Sequence, residues 1–278
     1  MTKNLINKRL DISDKNFKKL SIQVSLNGLS FCVADGVTHN LLLSDTVVFE
    51  KTQNPIVLKD ELEKLLDIHQ LTEMEFEEVV VVHKNTLFGL VPKSLFNANN
   101  MANYLKFNTK LLPTDVLAND EIEHQELVNV YVPYMNINNY IYGLFGEFTY
   151  VHNSTVLLET LLNKQNQDQE TVCYVYVSKY QMDITVIEQR KLKLHNSFDY
   201  ETTEDFGYYL LFVLEQLDLD TKTVPVKFMG SIEEDDDSYQ LCYSYIENIS
   251  IHTPASQHWL KLGKPAVESI DFTLLNTL

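Results

Sequence analysis

The sequence predicts an α/β protein made of two similar units in tandem, each a mixed sheet with helices on its faces. Three observations carry this. Leu20, Ile22, Val24 and Leu26 alternate with Ser21, Gln23 and Ser25, and after Asn27-Gly28 the alternation resumes with Leu29, Phe31 and Val33. Such alternation gives each strand one apolar face, and Asn-Gly between two such runs is a strong hairpin signal, because a type I′ turn needs positive φ at both central residues. A second hairpin pattern, Thr171–Val177 and Met182–Glu188, returns after the midpoint. Each hairpin is followed by a third strand pattern and then a helical stripe.

In chain order, residues 1–17 read as an arm or short helix. The hairpin Leu20–Asp35 precedes a strand over Leu41–Phe49, closed by Asn54-Pro55. Leu58–Leu71 reads as a helix, with Leu58, Leu62, Leu65, Leu66 and Leu71 as its apolar stripe. Val79–Val82 is a β-branched run that suits a central strand covered on both sides. A further strand is expected over Thr86–Val91, a helix over Lys93–Tyr104, and a polar, irregular excursion over Lys106–Glu126. Leu127–Tyr134 reads as a strand, Asn136–Phe145 as a helix, Glu147–His152 as a short strand, and Ser154–Asn163 as a helix with Ser154 as N-cap. The polar run Lys164–Gln169 places a domain boundary between residues 1–166 and 167–278. In the second unit Ser178-Lys179-Tyr180-Gln181 joins the hairpin and Leu192–Phe198 is its third strand. Thr203 caps a helix whose Phe206, Tyr209, Leu210, Val213, Leu214 and Leu217 follow helical spacing, with Glu204 and Asp205 at its positive end. A strand over Thr223–Met229 ends at Gly230. The acidic run Glu233–Asp237, a helix over Ser238–Glu247, a strand over Asn248–Thr253 and a tail with Trp259, Phe272, Leu274 and Leu275 complete the chain.

Composition narrows the function classes. With 22 basic against 39 acidic residues the formal charge is −17, which repels nucleic-acid backbones and anionic lipid. The apolar runs are far shorter than the roughly 20 residues of a membrane helix, and the N-terminus lacks the apolar core of a signal peptide. A cytoplasmic protein without nucleic-acid binding or membrane insertion is expected. Cys32, Cys173 and Cys242 lie in apolar patterns and read as buried free thiols; without Cys or His pairs at ligand spacing, no zinc or other metal site is expected. The eight histidines are dispersed, Asp35-Gly36 reads as a turn, and Walker A, GxGxxG, GxSxG and HExxH patterns do not occur.

The two halves share the order strand, strand, strand, helix, strand, helix, strand. First strand to fourth strand spans about 56 positions in one half and about 51 in the other, which points to internal duplication. A three-strand antiparallel meander followed by a helix and parallel strands is the unit of the ribonuclease-H-like fold. Two in tandem resemble the superfamily of actin, hexokinase-type sugar kinases and heat-shock ATPases. The hairpin Leu20–Asp35, the stretch Val130–Tyr140 and the step Phe145-Gly146-Glu147-Phe148 are similar to a family of uncharacterised bacterial proteins, one member of which has an actin-like ATPase fold and no assigned activity.

That resemblance implies ATP with magnesium between the units, its phosphates wrapped by the two hairpin turns. The positions that would face it are Ser25, Asn27 and Gly28, then Ser178 and Lys179, and Gly230 at the adenosine loop. The chemistry requires backbone N–H groups freed by glycine and a carboxylate for the metal. Here the first turn has one glycine and no aspartate, and the second turn has no glycine. The adenosine loop has one glycine and is followed by five carboxylates. The residues therefore favour a non-catalytic scaffold or protein-binding module with a degenerate nucleotide site, no cofactor and an unidentified protein partner. Its 15 tyrosines and 14 phenylalanines suit both core packing and a partner surface. The alternative is a divergent ATPase or kinase using the inter-domain cleft. A ribonuclease-H-like nuclease is the weakest reading, since Leu20–Leu26 carries no acid.

Overall fold

The computed structural model describes residues 17–38, 40–107, 109–122, 125–164, 171–252 and 272–277. The first meander is β1 (Lys18–Ser25), β2 (Gly28–Asp35) and β3 (Leu41–Val48). α1 (Pro55–Ile68) starts where Asn54 Oδ1 accepts from the Ile56 and Val57 amides at 3.0 and 3.1 Å, with Pro55 in the first helical position. β4 (Glu78–His83) follows. Then come β5 (Phe88–Pro92), α2 (Met101–Leu105), β6 (Ala118–Ile122), β7 (Leu127–Tyr131), α3 (Met135–Phe145), β8 (Thr149–His152) and α4 (Asn153–Lys164). The second half holds β9 (Val172–Ser178), β10 (Gln181–Glu188), β11 (Lys191–Asp199), α5 (Thr203–Gln216), β12 (Val226–Gly230), α6 (Asp237–Tyr243) and β13 (Ile249–Ile251). A last short helix, α7 (Phe272–Leu275), ends the described chain.

Two five-stranded sheets result, ordered β3-β2-β1-β4-β8 and β11-β10-β9-β12-β13. In both, the first three strands are antiparallel and the last two join in parallel. This is the ribonuclease-H-like order, twice, as the sequence predicts. β5, β7 and β6 form a third sheet inserted between β4 and α3.

Each large sheet buries its alternating apolar set against helices. Leu20, Ile22, Val24, Phe31 and Val33 pack with Leu58, Leu62 and Leu66 of α1 and Ile137 and Ile141 of α3. In the second half Val175, Ile184, Val186 and Phe228 pack with Phe206, Leu210 and Leu214 of α5 and Tyr239 and Cys242 of α6. The polar alternates of β1 and β2 are not solvated. Ser21, Gln23, Ser30 and Cys32 are buried, and α7 lies on both strands. Thr273 Oγ1 donates to Gln23 Oε1 at 2.6 Å, and the Ser21 and Thr277 hydroxyls meet at 2.8 Å. α4 presents Leu157 and Leu161 to Tyr174, Tyr176, Ile187 and Met229 of the second sheet while also contacting β6 and β8.

Several local expectations change. The first hairpin tip is Leu26-Asn27, with Ser25 paired to Gly28, and neither tip residue has positive φ, so the turn is not type I′. Gly28 instead serves close approach: a Cβ there would lie 2.7 Å from the Val47 carbonyl oxygen of β3. The positive-φ turn falls at Gln189-Arg190, between β10 and β11, with φ of 49° and 64°. The helix expected over Lys93–Tyr104 is two 3₁₀ turns and then the short α2, because Asn97 bonds the Asn99 amide through its side chain and competes with helical pairing. The excursion Lys106–Glu126 contains β6, a polar edge strand in which only Ile122 is fully buried. Thr202, not Thr203, caps α5, in a capping box with Asp205. The start of α4 is held by His152, whose Nδ1 accepts from the Ser154 amide at 3.1 Å, so Ser154 sits inside the helix rather than at its cap. Residues 1–16 of the expected arm, most of the boundary run at Lys164–Gln169, and Trp259 lie outside the described residues.

Candidate functional site

The predicted residues lie at the ends of β1, β9 and β12 and in the turns beside them, and the side chains of Ser25, Asn27 and Ser178 are already hydrogen-bonded within the chain. Ser25 Oγ accepts from the Asn27 amide and donates to the Gly28 carbonyl, both at 3.1 Å. Asn27 Oδ1 accepts from Thr52 Oγ1 at 2.9 Å, and the Asn27 and Leu26 carbonyls accept from the Phe49 and Gln53 amides. Lys179 is exposed and lies over the Tyr180 ring, with Nζ 5.0 Å from its centroid. Gly230 has φ +89°, and any Cβ there would strike the Val177 carbonyl; the Ser231 amide bonds that same oxygen at 2.9 Å. The glycine is thus required by the seating of the β12 loop on β9.

The residue that joins the two sheets is one the sequence did not single out. Lys84 directly follows β4 and is buried. Its amide donates to the Val24 carbonyl at 2.9 Å, at the end of β1. Its Nζ donates to Ser178 Oγ at 2.5 Å, at the end of β9, and stands 4.7 Å from the Tyr176 ring centroid. A buried ammonium needs such company, a hydroxyl acceptor and an aromatic face. Ser178 is gripped from its other side, since its carbonyl accepts from Tyr200 OH at 2.5 Å. At the rim Tyr180 OH donates to the Glu50 carbonyl at 2.8 Å. Of the predicted residues, Ser178 alone takes part in this bridge; Lys179 points away from it. A lysine two positions past a buried β-branched run was the available signal, because the carboxyl ends of parallel strands are where open α/β sheets place ligands.

Behind the bridge lies a buried polar layer. His83 and His152 pair in register at the ends of β4 and β8. His83 Nδ1 accepts from the Tyr134 amide, so Nε2 carries the proton and donates to Asn138 Oδ1 at 2.9 Å. His152 Nδ1 is likewise an acceptor, and Nε2 donates to the Asn85 carbonyl at 3.2 Å. Burial lowers His83 to about 4 and His152 to about 3, so both are neutral. Asp120 on β6 accepts from the His152 amide, Thr155 Oγ1 and Tyr131 OH, yet burial still raises its pKa. Asp183 on β10 is buried and accepts from Asn153 Nδ2 at 3.2 Å and from Ser197 Oγ. These groups hold α4 between the sheets. Among the described residues no group of three or more His, Cys, Asp or Glu side chains is placed to hold a metal ion. Glu233–Asp237 is an exposed loop in which Asp236 Oδ2 accepts from the Glu233 amide at 2.8 Å. No helix among the described residues is long and apolar enough to cross a membrane.

The chain belongs to the family described as "Protein of unknown function (DUF3822)", whose model matches residues 7–249. No curated protein is a match for it. A structure from Bacteroides thetaiotaomicron VPI-5482, described as a protein with actin-like ATPase fold and unknown function, is 20% identical, with a TM-score of 0.79 over 88% of this chain and 94% of that one. The "PilM-PilN type IV pilus biogenesis complex" is 12% identical, with a TM-score of 0.56 over 92% of this chain and 96% of that one. At these identities the likeness shows the fold, and the fold is actin-like.

Proposed function

We propose that this member of the DUF3822 family is a protein-binding scaffold of actin-like fold, in which side chains rather than a nucleotide join the two halves. The observation that carries the reading is the bond from Lys84 Nζ to Ser178 Oγ. It lies between the two strand ends whose turns would wrap phosphates. A triphosphate with its metal needs amides left free by glycine and an acid for the cation. Lys179-Tyr180 has no glycine, Tyr180 is tied to Glu50, and in the first turn the Asn27 amide is already bonded to Ser25 Oγ. The acids after Gly230 add repulsion toward any polyphosphate. The residues in the gap do not fit the nucleotide that the fold suggests. The shared strand order of the two large sheets further supports an origin by duplication, with the second copy's phosphate turn lost.

The scaffold half of the proposal draws on the same fold in the PilM-PilN complex, where the fold's owner is assembled with another protein. The deciding experiment is isothermal titration of the full chain with ATP and magnesium. No saturable heat up to millimolar nucleotide is the expected result. Binding tighter than about 1 mM, lost in Lys179→Ala, would overturn the proposal in favour of a divergent ATPase or kinase.

A further inference from the structure

The face of α5 turned away from the core carries a run of aromatic rings whose outer members, Tyr208 and Phe212, are exposed. Phe198 at the end of β11 stacks on Tyr209 with centroids 4.9 Å apart. Tyr209 meets Tyr208 edge-on at 5.5 Å, and Tyr208 stacks on Phe212 at 5.9 Å. Phe198 and Tyr209 are half-buried against the second core, which fixes the platform. Tyr208 and Phe212, one helical turn apart, are 61% and 41% exposed. Glu204 lies one turn before Tyr208 and Glu215 nearly one turn after Phe212, both exposed, so each ring is flanked by a carboxylate on the same face. Between Glu201 and Ser250 the chain has twelve acidic residues and two lysines. Neither lysine lies on α5, and Lys227 sits over the Tyr174 ring on the second sheet. Twelve acids against two lysines leave this stretch of chain, which carries α5 and α6, with −10 of the net charge of −17.

We propose that the α5 face is a docking surface for a basic, arginine-bearing segment of a partner protein. Guanidinium groups stack on tyrosine and phenylalanine faces and pair with carboxylates beside them. The local charge is complementary to such a segment and repels an acidic one. The inference rests on the scaffold reading and names its partner chemistry and its site. The probe is a fluorescein-labelled arginine-rich peptide, with a second peptide in which citrulline replaces every arginine. Fluorescence anisotropy with the full chain should give a dissociation constant of roughly 10–100 μM, weakened several-fold by 300 mM salt. Tyr208→Ala/Phe212→Ala and, separately, Glu204→Lys/Glu215→Lys should each weaken binding about tenfold or more. All four side chains are solvent-facing, and unchanged thermal unfolding would show that the fold is kept. Equal affinity for either variant, equal affinity for the citrulline peptide, or no saturable binding up to about 1 mM would overturn the assignment. A failure here with no nucleotide binding removes only the surface. Nucleotide binding by titration removes the scaffold reading, whatever the peptide does.

Discussion

Acid should destabilise this fold through three buried histidines, two of them beside the Lys84 bridge. His83 and His195 are held at about 4 and His152 at about 3, against an ordinary value near 6.5. The folded chain refuses a proton that the unfolded chain accepts. Their contribution is therefore fully present above pH 6.5 and is lost as pH falls from 6.5 toward 4. At pH 5 each unfolded imidazole is almost wholly protonated and each folded one almost wholly neutral, which costs about 2 kcal/mol per histidine and about 6 kcal/mol for the three. Asp120 and Asp199 act in the opposite sense, because burial raises both and the folded chain then binds protons more tightly than the unfolded one. A loss of up to about 6 kcal/mol between pH 7.5 and pH 5 follows, offset in part by the two aspartates, which would lower the midpoint of thermal unfolding by at most roughly 10 °C. Urea unfolding at the two pH values measures it directly. In His83→Gln the pH-dependent loss should shrink by about 2 kcal/mol, although the variant is less stable at pH 7.5. Equal stability at the two pH values, or an unchanged loss in His83→Gln, would refute the account of these side chains.

Other outcomes are as definite. Gly28→Ala must push the Val47 carbonyl, and β3 with it, away from β2 and should cost about 1–3 kcal/mol in urea unfolding. Gly230→Ala combines a φ of +89° with the same kind of clash and should cost at least about 2 kcal/mol. Thr202→Ala removes one arm of the α5 capping box and should cost about 1 kcal/mol. Cys173 and Cys242 are buried, with thiols pushed up to about 12. Neither should react with a disulfide reagent at pH 8 in the folded chain, while all three thiols should react once it is denatured.

The sheets were legible because their pattern is strong. The alternation over β1, β2, β9 and β10 and the run Val79–Val82 follow from burial, and the helices α1 and α5 announce themselves by spacing. What escaped was decided by tertiary contact. β6 reads as loop because Ala118-Asn119-Asp120-Glu121 is polar, and only pairing with β7 makes it a strand. The Asn-Gly signal was sound for a hairpin and misplaced by one residue, because Gly28 answers to β3 rather than to the turn. At the candidate site Ser25, Asn27, Gly28, Ser178, Lys179 and Gly230 could be placed by topology. The bonds that occupy Asn27 and Ser178 could not, since their partners Thr52, Lys84 and Tyr200 are distant in sequence or silent in pattern. Lys84 was missed because a single lysine after a strand looks like any solvated charge until the second half of the chain covers it.

The seat of α7 on β1 and β2 ties contacts across 250 positions. During synthesis the first sheet emerges with Ser21, Gln23, Ser30 and Cys32 still without α7, and the segment that shields them arrives after the second sheet has been made. The first sheet is therefore left unfinished until the second is complete, and the two should melt together rather than one after the other.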